Sequence, residues 1–345
     1  MSSSSPIVVT GGTGFIGHAL VNLLEACGER VKVVSRSADP RQSHGNITYV
    51  KGDVADAASM MQHIAGASTV FHLAAGGGDR WSDYERDVVG GARNVAAACK
   101  QHKIARLIYT STIAALYLGR GGTIDETTGP DPKPMKRSHY SRAKIFAENL
   151  YRDLHAREGL PVVIVRPGLV MGRGGVLNHT GVGTWPSDIS CLGWGQGNNP
   201  LPFVLVQDVA QALVACVTTQ NIEGRAFNLA GDVFLTAREF VSLTAERARR
   251  RFHYHPQSLL KMQAVELGKW MLKAAAGKPE NPFPSFYDLK SRSLRTAFDC
   301  KAAKEVLRWQ PNADPEVFFR EAIASHLRPL AVSDLRLPRT SAVPA

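Results

Sequence analysis

The chain has 345 residues, of which 44% are hydrophobic, 21% charged and 8% aromatic. This globular composition excludes disordered, collagen-like and fibrous classes and fits one large or two fused domains. Lys and Arg number 41 against 30 Asp and Glu, a net charge of +11; residues 1–245 hold 23 basic and 20 acidic groups (+3) and residues 246–345 hold 18 and 10 (+8). The excess in the last third keeps nucleic acid, anionic lipid and phosphorylated ligands open as partners.

The first half alternates strand and helix. Ile7–Thr10 reads as a strand, Phe15–Ala26 as a helix, and Val31–Ser35 and Ile47–Val50 as strands. Asp56 caps a helix to Ala65, and Thr69–Leu73 is the next strand. Trp81–His102 reads as one long helix, Leu107–Ser111 as a strand, and Tyr140–Glu158 as a helix that Gly159 ends in the left-handed region. Val162–Arg166 is a strand. Apolar strands alternating with helices predict α/β architecture with a parallel sheet covered on both faces. Residues 171–202 are rich in Gly, Asn, Trp and Pro and read as loops. Phe203–Val206 and Phe227–Ala230 read as strands, and Asp208–Thr218, 236–250, 258–275, 301–308 and 315–326 as helices. The expected organisation is an α/β domain over 1–168 with 203–232 returning to it, a second lobe over 169–330, and a tail over 331–345.

Other features limit the function. The five cysteines show no CxxC spacing and no nearby His cluster, so neither a disulfide framework nor a metal site is expected. Residues 1–6 lack a signal pattern, and no stretch approaches about 18 apolar residues. The expected location is cytoplasmic.

The strongest motif runs from Thr10 to Gly17. Gly11, Gly14 and Gly17, with Thr13, Phe15 and Ile16 between them, lie where a strand turns into a helix. Such a turn lets backbone N–H groups meet a pyrophosphate, which a Cβ would obstruct. An NAD site usually ends its second strand with an acid. Here Ser35 stands there and Arg36 follows, and a guanidinium suits a 2′-phosphate. NADP(H) is therefore expected, with NAD as the alternative and Arg41 as a second phosphate ligand. Asp53, beside Val54 after the third strand, could accept from an adenine amino group. Tyr140 and Lys144 are one helical turn apart, so a phenol and an ammonium share a face. A phenol of pKa roughly 10 needs a neighbouring cation to work near neutrality. Ser111 and Thr112 close a strand at the sheet edge where α/β ligands bind.

Together these elements resemble the extended short-chain dehydrogenase/reductase superfamily, the NAD-dependent epimerase/dehydratase family. The catalytic hydroxyl and tyrosine, Thr112 and Tyr140, are 28 positions apart. Phe71-His72-Leu73-Ala74-Ala75, Gly90–Val95, Arg166-Pro167-Gly168, Phe203–Ala210 and Phe298–Pro311 resemble further family segments. The form of Arg166-Pro167-Gly168 is similar to the hydroxysteroid dehydrogenase and dihydroflavonol reductase branch. The resemblance implies a Rossmann-type fold, Tyr140 as acid–base, and Lys144 lowering its pKa and binding the nicotinamide ribose. It also implies Thr112 as catalytic hydroxyl, with Ser111 the runner-up, and Leu73, Ala74, Ala75, Pro167, Gly168 and Val170 beside the cofactor. A homodimer through the Trp81–His102 and Tyr140–Glu158 helices is implied as well. Asp87 stands where the family often has Asn.

Three functions follow as expectations: a reductase or dehydrogenase for a hydroxyl/carbonyl pair, a nucleotide-sugar 4-epimerase, or a non-catalytic dinucleotide sensor. A 4,6-dehydratase is disfavoured because Ile113-Ala114, which cannot exchange protons, follow Thr112. Trp185, Trp194 and His179 are candidates to recognise a small-molecule substrate. The basic, amphipathic Ser258–Ala275 helix could touch a membrane surface. No nucleic-acid-binding motif accompanies the basic third, so nucleic acid is not an expected partner.

Overall fold

The computed structural model describes residues 5–119, 121–249, 251–277 and 283–326. The expected tail and Arg250, one of the basic residues of the last third, lie outside these residues.

Seven parallel strands form the main sheet: β1 (Ile7–Thr10), β2 (Val31–Ser35), β3 (Ile47–Lys51), β4 (Thr69–His72), β5 (Arg106–Thr110), β6 (Val162–Pro167) and β7 (Ala226–Leu229). Their order is β7-β6-β5-β4-β1-β2-β3. β1, β4 and β6 are buried along their whole length. Helices cover both faces, because alternate strand residues point to opposite sides. On one side α1 (Phe15–Ala26) and α5 (Val206–Thr218) pack on Val9, Val33, Phe71, Ile108 and Phe227. On the other, α2 (Ala57–Ile64), α3 (Gly91–Gln101) and α4 (His139–Glu158) pack on Val8, Val34, Val70, Leu107 and Ile164. This is the doubly wound, Rossmann-type arrangement. Its topological switch lies between β1 and β4, where such sheets open a crevice for ligands.

A smaller lobe is built on a third core around Phe203, Phe240, Phe318, Met171 and Cys191. It contains α6 (Ala237–Ala248), α7 (Leu259–Ala275) and short strands. Leu169–Met171 pairs in parallel with Phe203–Leu205, and Gly122–Ile124 with Thr296–Phe298.

Two expectations need correction. The helix expected over Trp81–His102 is interrupted: Trp81–Tyr84 leads into a π turn at Glu85–Gly90 before α3 begins. Its spacing still looks helical, so periodicity does not reveal the extra residue in the turn. The stretch expected to be loops, 171–202, contains the hairpin Gly183–Ser187/Ser190–Gly193, which His253–Pro256 extends to three strands. Gly193 faces the Tyr254 ring so closely that a Cβ would overlap its hydroxyl. Close backbone approach, rather than alternating apolar residues, makes these strands fit.

Candidate active site

The glycine turn shows why each glycine is needed. Gly11 has φ +74°, and a Cβ there would meet Ala74 N at 2.7 Å. A Cβ on Gly17 would collide with the Gly11 carbonyl and Gly12, so Gly17 serves the packing of helix against turn. Gly14 is the N-cap of α1 and supplies no side-chain cap. The first N–H groups of α1 are therefore left for an anionic ligand. The turn borders a groove of about 250 Å³ lined by Gly11, Thr13, Gly14, Val34, Ser35, Arg36, Gly52, Asp53, Val54, Leu73, Ala74, Ala75, Gly76 and Asp87. A larger cavity of about 450 Å³ lies elsewhere, between Asp125, Glu126, Arg225 and Lys301, and holds none of the expected site residues. The groove at the switch point is the one that matches the chemistry.

Three hydroxyls meet at the second-strand end. Thr13 Oγ1 lies 2.8 Å from Ser35 Oγ and 3.1 Å from Ser37 Oγ. Arg36 stands beside them, 60% exposed, with Nη1 3.3 Å from Asp87 Oδ2. Asp87 is buried and also accepts from Arg86 Nε at 2.6 Å. The π turn thus brings into the groove a carboxylate that sequence reasoning did not assign to the cofactor site. Arg41 is not in the groove: it is held by Asp39 at 2.8 Å. Asp53 Oδ1 accepts from Ala55 N at 2.9 Å, and Asn94 Nδ2 donates to Val54 O at 2.9 Å.

The expected catalytic residues gather at the ends of β5 and α4. Ser138 caps α4, and Tyr140, Lys144 and Glu148 follow one turn apart on one face. Thr112 lies just past β5, near enough to Tyr140 to lower the phenol's pKa, and its Oγ1 accepts from Ala114 N at 3.2 Å. Ser111, one position earlier, points away and donates to Glu148 Oε2 at 2.6 Å. The two candidate hydroxyls thus have different surroundings: Ser111 is committed to Glu148, and Thr112 lies towards Tyr140. The Tyr140 side chain remains 39% exposed. Burial around its hydroxyl raises its pKa above the ordinary value, and the nearby Thr112 offsets only part of this. The direction is opposite to the one expected from a lysine on the same face. Lys144 is itself buried, donates to Thr110 O at 2.8 Å, and has its pKa lowered to about 8 by burial, against the pull of Glu148.

Beneath these groups lies a buried polar network that sequence reasoning missed. Arg166 Nη2 donates to Glu148 Oε1 at 2.6 Å, and both side chains are fully buried. Burial pushes the Glu148 carboxyl up, but Arg166, Ser111 and Arg152 more than reverse it, leaving it below its usual value. The signal was present: Glu148 falls four residues after Lys144, on the tyrosine's face. Arg137 forms a second buried node. It donates to Asp131 Oδ2 at 2.9 Å, Asp288 Oδ1 at 3.1 Å and Ala114 O at 3.0 Å. Asp288 also accepts from Ser138 N at 3.0 Å, tying the 286–291 helix of the smaller lobe to both catalytic segments.

The remaining expected residues lie outside the groove lining. Phe15 packs against the Gly174-Gly175 backbone, and Ile16 packs on the core. Pro167 ends β6, Val170 pairs with Val204, and Gly168 passes Pro202 O too closely for a Cβ. Trp185 and Trp194 donate to His179 O at 3.2 Å and Thr180 O at 2.8 Å. These three aromatic residues therefore brace one loop. Among the described residues no cluster could hold a metal, and no helix is long and apolar enough to cross a membrane.

A glycine turn at the switch point of a doubly wound sheet, with a Tyr/Lys helix beside it, defines a dinucleotide-dependent enzyme of the extended short-chain dehydrogenase/reductase type. Comparison with known proteins agrees: a model of the NAD-dependent epimerase/dehydratase family matches residues 7–230, and the chain belongs to that family. It is 27% identical to 2-alkyl-3-oxoalkanoate reductase of Shewanella oneidensis over 320 residues, covering 86% of this chain and 80% of the relative. The enzyme of the same name from Stenotrophomonas maltophilia is 36% identical over 174 residues, 49% of this chain and 52% of that one. Among solved structures, UDP-glucuronic acid 4-epimerase from Bacillus cereus in complex with NAD matches with a TM-score of 0.70 at 20% identity, covering 93% of this chain and 98% of that one. At that identity the likeness is one of fold.

Proposed function

We propose that the chain is an NADP(H)-dependent oxidoreductase for a small molecule with a hydroxyl/carbonyl pair. The observation that carries this is that the expected hydroxyl, Thr112, stays near Tyr140 while Ser111 is diverted to Glu148. When bound, the nicotinamide supplies or accepts the hydride. Tyr140 exchanges the proton at the substrate oxygen through its hydroxyl, and Thr112 Oγ1 holds that oxygen in place. Lys144, anchored on Thr110 O, places a cation next to Tyr140 and offers donors to a ribose.

The residues present suit the cofactor. The Gly11 and Gly14 backbone with the start of α1 would hold the pyrophosphate, and Ala74 and Ala75 would flank it. Thr13, Ser35, Ser37 and Arg36 offer three hydroxyls and a guanidinium to a 2′-phosphate, which would compete with Asp87 for Arg36. The names of the two reductase relatives support a reductase. A nucleotide-sugar 4-epimerase is the second reading: the Bacillus cereus neighbour is one, and the same tyrosine would serve it. The reductase reading also expects a second copy of the chain, paired through α3 and α4. The half-buried Phe146, Leu150 and Leu154, one turn apart on α4, favour that pairing. The buried free thiols Cys99, Cys191, Cys216 and Cys300 fit a reducing compartment such as the cytoplasm.

Fluorescence titration of the purified protein with NADPH and NADH tests the cofactor preference. NADPH should bind at least about tenfold more tightly, and Arg36→Ala should weaken NADPH while sparing NADH. Equal affinities, or stoichiometric NAD⁺ retained through purification, would overturn the reading in favour of the epimerase.

A further inference from the structure

Helix α7 (Leu259–Ala275) has no buried residue along its 17 positions. Its inner side holds the half-buried Leu259, Met262, Gln263, Leu267 and Trp270. Gln263 Nε2 donates to Pro284 O at 2.8 Å, and the Trp270 ring meets Phe283 edge-on at 5.3 Å. A surface helix with one face seated in this way should be polar on the other. Here the outer face carries Leu260, Val265, Met271 and Leu272, exposed by 71, 55, 59 and 74%. At helical spacing they span an arc of about 140°, with the small Ala264, Gly268 and Ala275 between them. Phe283, 65% exposed, stands beside Trp270 on the seated side. Lys261 lies within the arc; Lys269, paired with Glu266 at 2.7 Å, lies about 40° beyond its Val265 edge, and Lys273 lies farther round, beside the seated side.

We propose that this face docks on an anionic lipid bilayer. Two observations favour a bilayer over a protein. Lys261 sits in the middle of the apolar face, where protein interfaces are depleted of lysine. A membrane interface accepts it, because the stem lies in the apolar layer while the ammonium reaches the headgroups. The helix itself carries Lys261, Lys269 and Lys273 against the single Glu266, a net charge of +2, which complements a negative leaflet. The helix would lie in the interface plane with Leu260, Val265, Met271 and Leu272 inserted. This docking is independent of the reaction proposed above. It concerns a surface that contains none of the groove or catalytic residues.

The test is sedimentation of the full chain with phosphatidylcholine vesicles, with and without phosphatidylglycerol. Binding should be at least about tenfold stronger to the anionic vesicles and should weaken in high salt. Leu260→Glu combined with Leu272→Glu should abolish it, with the thermal midpoint and NADPH affinity kept. Lys261→Glu with Lys269→Glu, which leaves the apolar residues in place, should reduce binding to the level seen on neutral vesicles. A wild-type chain that stays in the supernatant with both vesicle types overturns the proposal. So does a double-Glu variant that binds as well as wild type. Light scattering in which that variant converts a dimer to a monomer also overturns it, since the face would then join two copies.

Discussion

Tyr140 sits in an environment that on its own makes it a weaker acid than a free phenol, because burial outweighs the lowering effect of the nearby Thr112. The acid–base role proposed for it near neutral pH therefore requires further stabilisation of the phenolate, such as the cation of Lys144 or a bound cofactor would supply. Tyr140→Phe should lower kcat by about 10²–10⁴-fold, the usual worth of a positioned acid–base group. NADPH affinity should change by less than about threefold, because the phenol hydroxyl is assigned to the substrate oxygen. Retained turnover would remove Tyr140 from the role. The two neighbouring hydroxyls should separate in the same assay. Thr112→Val should cost kcat. Ser111→Ala should act mainly on stability, since its hydroxyl is committed to Glu148. The reverse pattern would exchange their roles. The sequence places both residues at the end of β5 but cannot choose between them. The choice rests on Glu148, which lies 37 positions from Ser111.

At the scale of elements, β1–β7 and α1–α5 are legible because apolar strands buried on both faces and helices with one apolar stripe leave strong periodic patterns. The hairpin over 183–193 is not legible, since its strands, Gly183–Ser187 and Ser190–Gly193, do not alternate. The glycine turn and the Tyr140/Lys144 face could be read from spacing. The Asp87 contact to Arg36 could not, because it depends on the π turn at Glu85–Gly90. The Glu148–Arg166 pair joins α4 to β6 in the buried core beneath the site. Glu148→Gln should destabilise the protein by about 3–5 kcal/mol, because it leaves a buried guanidinium uncompensated. Urea denaturation measures this. A loss below about 1 kcal/mol would mean that water or Asn228, whose Oδ1 already accepts from Arg166 at 3.4 Å, takes over the charge.

For the whole molecule, buried titratable groups set the pH range of stability. His72 is buried against Thr10 and Tyr109, and burial, with Lys144, lowers its pKa to about 3. Its ordinary value is about 6.5, so between these values the unfolded chain binds the extra proton. Stability should therefore fall as pH drops from about 6.5 towards 3, by up to about 1.4 kcal/mol per pH unit, and Glu148 adds to the loss at its acid end. Lys144, lowered to about 8, acts at the other end: stability should rise between about pH 8 and 10.5, where only the unfolded chain keeps its proton. Urea midpoints of the wild type and of His72→Gln, compared between about pH 4 and 6, should show a shallower acid slope in the variant. Equal slopes would mean that His72 takes up its proton without unfolding. The strand order has a consequence for biosynthesis. β6 ends at Pro167, but its outer neighbour β7 ends only at Leu229, and α5, which covers α1, also lies between them in sequence. At about 5–20 residues per second, a ribosome needs roughly 3–12 s to make that stretch. During that interval the nascent sheet has an open edge and α1 has an uncovered apolar face, the state in which edge-to-edge association starts. A chaperone that shields the nascent chain should therefore matter most while residues 168–229 are being made.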